Sequence, residues 1–403
     1  MSGKEMPTNV WGMMSAWAVV SSLWSGLTMH TFPRSGPARP IGPAVWGDRR
    51  AGSGPAVPPD TARGPRLVGL DRLRGAALLL MLVHHLTGWF GRDGRAAMPG
   101  WEGFAVTDVA AVAFTIALGA AVPMLLASRA RRGRTGWRLA GTVARRYGLL
   151  IPIGVALRAA LGFDLDTVGV LETLGVCALA TAGAVRVAPR ALPVLAVATL
   201  LSAPAAERAA RGAGGVVEAL FAGTFPLAAY VGFALLGAAC APLLGHAHER
   251  PATLAVAVVG GIWTAGMLVL GDPPDRYPGD ASFLVPGITG TALLHLLVTA
   301  PRLGEDGRLG GLLRRAGAHT FGIFVSHYGV YLALRELGGL HELADPIAVA
   351  AAVGTAVAFA VVAARLPALP WSPRTGWARP RPAPASVRDR SERAEREAVR
   401  SAR

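Results

Sequence analysis

Apolar residues in this chain fall in long runs, without the 3.6-residue spacing of a surface helix or the alternation of a half-buried strand. From residue 67 to about 366, runs of Leu, Ala, Val and Gly near 20 residues long follow one another, separated by short breaks that carry Arg. About 20 helical residues cross a hydrocarbon layer of ~30 Å, and a helix satisfies its own backbone polar groups there. The pattern predicts an all-α, polytopic integral membrane protein with ten transmembrane helices. They lie near 70–90, 104–127, 143–161, 167–186, 190–206, 216–241, 252–271, 282–300, 317–336 and 345–366. The two ends read differently. Residues 1–66 hold Pro, Gly and Ser throughout, with an uncharged stretch 10–30 diluted by Ser and Thr, and predict a disordered or signal-like extension. Residues 367–403, Pro-rich and then mixed Arg and Glu, predict a disordered basic tail.

Composition agrees with the pattern. Of 403 residues, 52% are hydrophobic and 16% charged, where a soluble domain carries about a quarter charged. A formal net charge of +15 would suggest nucleic acid in a soluble protein, but here the basic residues sit in short loops and the tail, so no nucleic-acid partner is expected. Their role is to orient the chain. With the first span starting inside, the cytoplasmic loops hold fourteen arginines, from Arg129 to Arg315, against seven opposite, among them Arg158 and Arg211. This predicts a multi-pass cell-membrane protein with both ends of the transmembrane domain in the cytoplasm. Lys4 is the sole lysine among 40 basic residues, a bias that GC-rich coding produces. Cys177 and Cys240 lie in apolar runs and read as small apolar residues. His246, His248 and Glu249 have no ligands at suitable spacing, and no metal is expected.

The charge that remains is more informative. The first span carries Asp71, Arg72 and Arg74 at its start and His84, His85 and Trp89 at its end. An ionisable group at membrane depth faces protein or a watery cavity. Arg74 and His85 are separated by about three helical turns, or ~16 Å, close to one face. They can line one cavity, or Arg74 can belong to the interfacial positive cluster while His85 is satisfied at the far interface. Asp108 enters the uncharged second span, as a functional carboxylate or as a helix-start residue favoured by the dipole. The basic loop with Arg129, Arg131, Arg132 and Arg134 can attract phosphate groups, or simply orient the chain and meet anionic headgroups.

The run 67–81 ending in His84 and His85, followed by Trp101-Glu102-Gly103 with Asp108, Phe114 and Gly119, resembles the amino-terminal signature of the heparan-alpha-glucosaminide N-acetyltransferase catalytic-domain family. That family sits beside the acyltransferase-3 and YeiB-like membrane families. The stretch Arg276-Tyr277-Pro278 through Ser282 resembles a loop-to-helix motif of the bacterial members, and the segment from Gly317 and His319 to His327 resembles their late helix with its terminal His. The resemblance implies a membrane acyltransferase. Acyl-CoA, typically acetyl-CoA, enters from the cytoplasm, and the acyl group passes to an amino or hydroxyl group of a sugar-like acceptor at the other face. It implies His85 as the base, with Arg74 binding the pantetheine-pyrophosphate portion or orienting the site, and Asp108 holding a His tautomer or the acceptor. Asp71, Trp101 and His327 are the substrate-binding candidates, and Arg74, Arg131 and Arg132 the cofactor-binding ones.

One departure stands out. The animal enzyme has Asn at the position of His85, and its catalytic His lies three residues before the Trp of the Trp-x-Gly motif, where this chain has Met98. Either His85 serves as base, as the Arg-to-His spacing of the acyltransferase-3 families implies, or this chain does not carry out the animal reaction. A transporter or flippase, in which the same residues bind substrate or protons, and a non-catalytic family member are the alternative readings. His295 and His319 are weaker candidates, and a homo-oligomer is possible on this reading.

Overall fold

The computed structural model describes residues 67–91, 100–101, 104–131, 133–271, 281–303, 307–338 and 343–365. The expectations for 1–66 and 367–403, and those on Met98, Arg132 and the stretch 276–280, lie outside the described residues. Within them the protein is all-α. In chain order it runs α1 (Val68–Phe90), β1 (Gly100–Trp101), β2 (Phe104–Ala105), a 3-10 turn (Val106–Asp108), α2 (Val109–Arg131), α3 (Gly136–Val143), α4 (Leu150–Ala160), α5 (Val170–Val187), α6 (Leu192–Ala210), α7 (Gly215–Phe221), α8 (Leu227–Cys240), α9 (Glu249–Val269), α10 (Ala281–Val298), α11 (Arg308–Ala318), α12 (Thr320–Gly338) and α13 (Asp345–Arg365). The strands form one antiparallel pair with Trp101 opposite Phe104.

Among the described residues, five helical segments are long and apolar enough to cross a membrane: Val68–Phe90, Val106–Ala130, Val170–Val187, Pro189–Ala210 and Glu249–Val269. Leu227–Leu243, Ser282–Val298 and Pro346–Val362 are apolar but shorter. Two apolar runs are broken for identifiable reasons. The run 216–241 divides into α7 and α8 at Pro226, the N-cap of α8, because proline has no N–H to continue a ladder. The run 143–161 opens with a π-helical turn, Ala144–Gly148, before α4. Pro123, Pro204 and Pro286 sit inside α2, α6 and α10 without ending them, as packed neighbours allow in membrane helices.

The outer surface is apolar where a soluble fold would be polar. Helix α9 is apolar along its length, yet almost none of it is covered by the rest of the protein, and little more of α6 is. Ile262, Val259 and Leu201 are each more than two-thirds exposed. Apolar area on this scale requires a partner, and hydrocarbon supplies it. This is a membrane protein.

Helix α1 is central, packing against α2, α10, α11, α12 and α13. Lipid gives little hydrophobic drive for helices to associate, so close contact relies on small residues. A Cβ on Gly75 of α1 would overlap the Leu313 carbonyl of α11, and one on Gly317 would overlap the Asp71 carbonyl in return. The same reciprocal arrangement joins α2 to α8, with Gly119 against the Ala234 carbonyl and Gly237 against that of Ile116. On α13, Ala348, Ala352, Ala356 and Ala360 recur every four residues, fully or almost fully buried in the cluster that holds Leu78, Leu82, Leu86 and Phe90 of α1. At the far end of α1 the Leu343 N–H donates to the Phe90 carbonyl at 2.8 Å, tying α1 to the chain leading into α13.

Candidate active site

The carboxyl-terminal end of α1 brings two adjacent imidazoles into the bundle, about 100° apart around the helix. His84 turns toward the start of α2, where its Nδ1 lies 2.7 Å from Thr107 Oγ1. His85 turns toward α12, where its Nδ1 lies 3.0 Å from Nε2 of His327. His327 is fully buried, and its Nδ1 meets the Phe324 carbonyl one turn back on its own helix. The ring centres of His85 and His327 are 5.3 Å apart with an interplanar angle of 25°. That separation is what a 3.0 Å nitrogen contact leaves when both nitrogens lie on the line joining the ring centres. The rings therefore meet edge to edge in a near-linear hydrogen bond and are not stacked face to face.

Aromatic side chains enclose the pair. Trp89, one turn beyond His85, lies 5.7 Å from His327 with its plane within 9°, and Tyr331 packs on Trp89 at 3.8 Å between centroids. Tyr328 lies 4.1 Å from His327 and 6.1 Å from His85, with Phe163 beyond it at 6.3 Å. His85 is half-buried and faces protein, not lipid.

A buried ion pair adjoins this cluster from α4 and α5. Arg158 Nε donates to Glu172 Oε1 at 2.8 Å, with side chains 14% and 7% exposed. The same guanidinium donates to the Asp164 carbonyl at 2.7 Å and to Thr167 Oγ1 at 3.1 Å, fastening the α4–α5 loop. A Cβ on Gly154 or Gly169 would overlap Glu172 Oε2, so two glycines make room for the carboxylate. Sequence reasoning missed this pair. The available signal was a lone glutamate, fourteen residues after Arg158, in the first turn of an apolar span whose other charge, Arg186, stands in its last turn.

The structure thus joins His85 to His327. Asp108 Oδ2 accepts from the Ala105 N–H at 2.8 Å at the mouth of the second span, and it reaches the histidine region through its neighbour Thr107. Arg74 is half-buried near the opposite end of α1, and Asp71 is half-buried in its first turn. Arg131 is exposed as the last residue of α2, on the same side as the start of α1. The Trp101 backbone pairs with Phe104, while its side chain lies outside the described residues. His295 is held elsewhere, with Nε2 2.7 Å from Glu249 Oε1, and His319 caps α11. Among the described residues no group of three or more metal-ligating side chains is found.

Fold and site together define a helical membrane protein with a paired-histidine polar site among its helices. Residues 66–260 match the family described as heparan-alpha-glucosaminide N-acetyltransferase, catalytic, so the resemblance read from the first two spans holds over this segment. The chain is also 32% identical over 126 residues to human heparan-alpha-glucosaminide N-acetyltransferase, covering 29% of this chain. That overlap spans only 18% of the human enzyme's length. The family match contains Arg74, His85, Asp108, Arg158 and Glu172 and ends before α10. His327 and Tyr328 therefore enter the site from outside the matched segment.

Proposed function

We propose that this protein is a membrane acyltransferase that moves an acetyl group from acetyl-CoA, supplied on the cytoplasmic side, to an amino or hydroxyl group of a sugar-like acceptor at the other face. The observation that carries the reading is the His85–His327 pair, of which His85 stands at the far end of the central helix, inside the segment that matches an acetyltransferase catalytic family, and His327 comes from α12 beyond it. Acceptor attack on the thioester carbonyl requires a base, and His85 takes the N–H or O–H proton as the new bond forms. The tetrahedral oxyanion is met by the hydrogen-bond donors at hand, Tyr328 and His84. Collapse breaks the carbon–sulfur bond, and the proton held by His85 passes to the departing thiolate.

Arginine at the opposite end suits the donor's phosphates. Arg74 and Arg131 share the side of the bundle where positive charge concentrates, and guanidinium groups bind phosphate in bidentate fashion. The ten-span topology with both ends inside belongs to the same proposal. Each of the ten apolar runs overlaps a helix of the fold, which supports it.

Incubating the purified full-length protein in lipid nanodiscs with radiolabelled acetyl-CoA and a panel of amino sugars tests the reading. Label should reach at least one acceptor, and His85→Ala should slow the transfer by about 10²–10⁴-fold. No transfer to any acceptor, and none to the protein, would remove acyl transfer as the function.

A further inference from the structure

The contacts of His327 fix more than its position. Its Nδ1 meets a backbone carbonyl, which has no hydrogen to give, so Nδ1 carries the proton and donates to Phe324. In a neutral ring the other nitrogen, Nε2, then holds a lone pair. Nε2 lies 3.0 Å from His85 Nδ1, in line with both ring centres. Two lone pairs cannot face each other at that distance, so the proton between the rings belongs to His85 Nδ1. The lone pair of neutral His85 is thereby assigned to Nε2.

We infer that His327 is a positioning residue that holds His85 in its Nδ1–H tautomer, with the Phe324 carbonyl as the fixed end of the chain, so that Nε2 of His85 is the base in acyl transfer. The arrangement has the logic of a catalytic triad with a second imidazole and a backbone carbonyl in place of the orienting carboxylate. Burial makes it durable. His327 is fully enclosed, and Trp89, Tyr328 and Phe324 pack around its ring, leaving it little rotameric choice. The inference rests on the acyltransferase reading and adds which nitrogen works and what holds it.

The test uses full-length protein in nanodiscs with acetyl-CoA and an acceptor that the wild type acetylates. His327→Ala should lower kcat about 100-fold while KM for donor and acceptor changes less than about twofold. His327→Gln places an amide oxygen near the former Nε2 and should recover about tenfold over Ala. His327→Asn, whose amide reaches only the former Nδ1, should not. A purely structural role predicts that Gln and Asn behave alike, and that result would overturn the inference even if the Ala variant fails to fold. If His85→Ala is inactive but His327→Ala retains wild-type kcat, the positioning role is lost and acyl transfer stands. A readout independent of activity separates the two further. In 15N-histidine NMR, neutral His85 and His327 should both show the Nδ1–H tautomer, and an Nε2–H signal assigned to His85 by its loss in His85→Ala would refute the tautomer assignment whatever the enzyme acetylates.

Discussion

His85 by itself is an ordinary imidazole; its chemistry comes from what stands on each side of it. A neighbouring imidazole orients it from α12, and the rings of Trp89 and Tyr328 flank it. The same dependence on surroundings applies to Glu172 and Arg158, which are individually costly at this depth and tolerable only as a hydrogen-bonded pair. Removing one partner leaves a buried charge. Glu172→Ala should therefore cost about 3 kcal/mol of stability, with part of the loss recovered in the Arg158→Ala/Glu172→Ala double variant, as read from unfolding in detergent. Equal melting of Glu172→Ala and wild type would show that the pair contributes nothing. Asp108 illustrates the converse: its carboxylate accepts a backbone N–H at a helix start, the local role that the sequence held open alongside a functional one.

At the scale of elements, the positions of α1 and α2 depend on glycines that face carbonyls of neighbouring helices. A side chain at Gly119 would push α2 from α8, and overpacking of this kind costs about 1–3 kcal/mol. Gly119→Leu should thus lower thermal stability by that amount. Gly183 of α5 has no heavy atom near its would-be Cβ, so Gly183→Ala should leave stability unchanged or raise it by up to about 1 kcal/mol. If both substitutions act alike in a melt, close backbone approach does not organise the bundle. These contacts were not legible beforehand, because a chain with 51 glycines gives no local sign of which one meets a carbonyl. The helices themselves were legible. A long uncharged run has few alternatives in a bilayer, whereas the division at Pro226 needed the trajectory of the chain to be seen.

For the molecule as a whole, the proposed topology rests on the distribution of arginine. Two of the arginines that the proposed topology places on the extracytoplasmic side are engaged by carboxylates, Arg158 by Glu172 and Arg211 by Glu207 at 2.6 Å. In a Cys177→Ala/Cys240→Ala background, a cysteine at Asp164 should react with a membrane-impermeant maleimide in intact cells. One at Thr135 should react only after permeabilisation. Labelling of both in intact cells would contradict the proposed orientation. The amino-acid sequence by itself determined the all-α membrane class and the approximate runs, and singled out His85 and Asp108 as candidates, because solvation in hydrocarbon acts on composition and on single charges along the chain. Only the tertiary structure decided that His85 pairs with His327 and not with Arg74, and that Arg158 and Glu172 stand beside them. Residues 242 positions apart become neighbours through helix packing, and no local pattern encodes which buried groups a fold will bring within hydrogen-bonding distance.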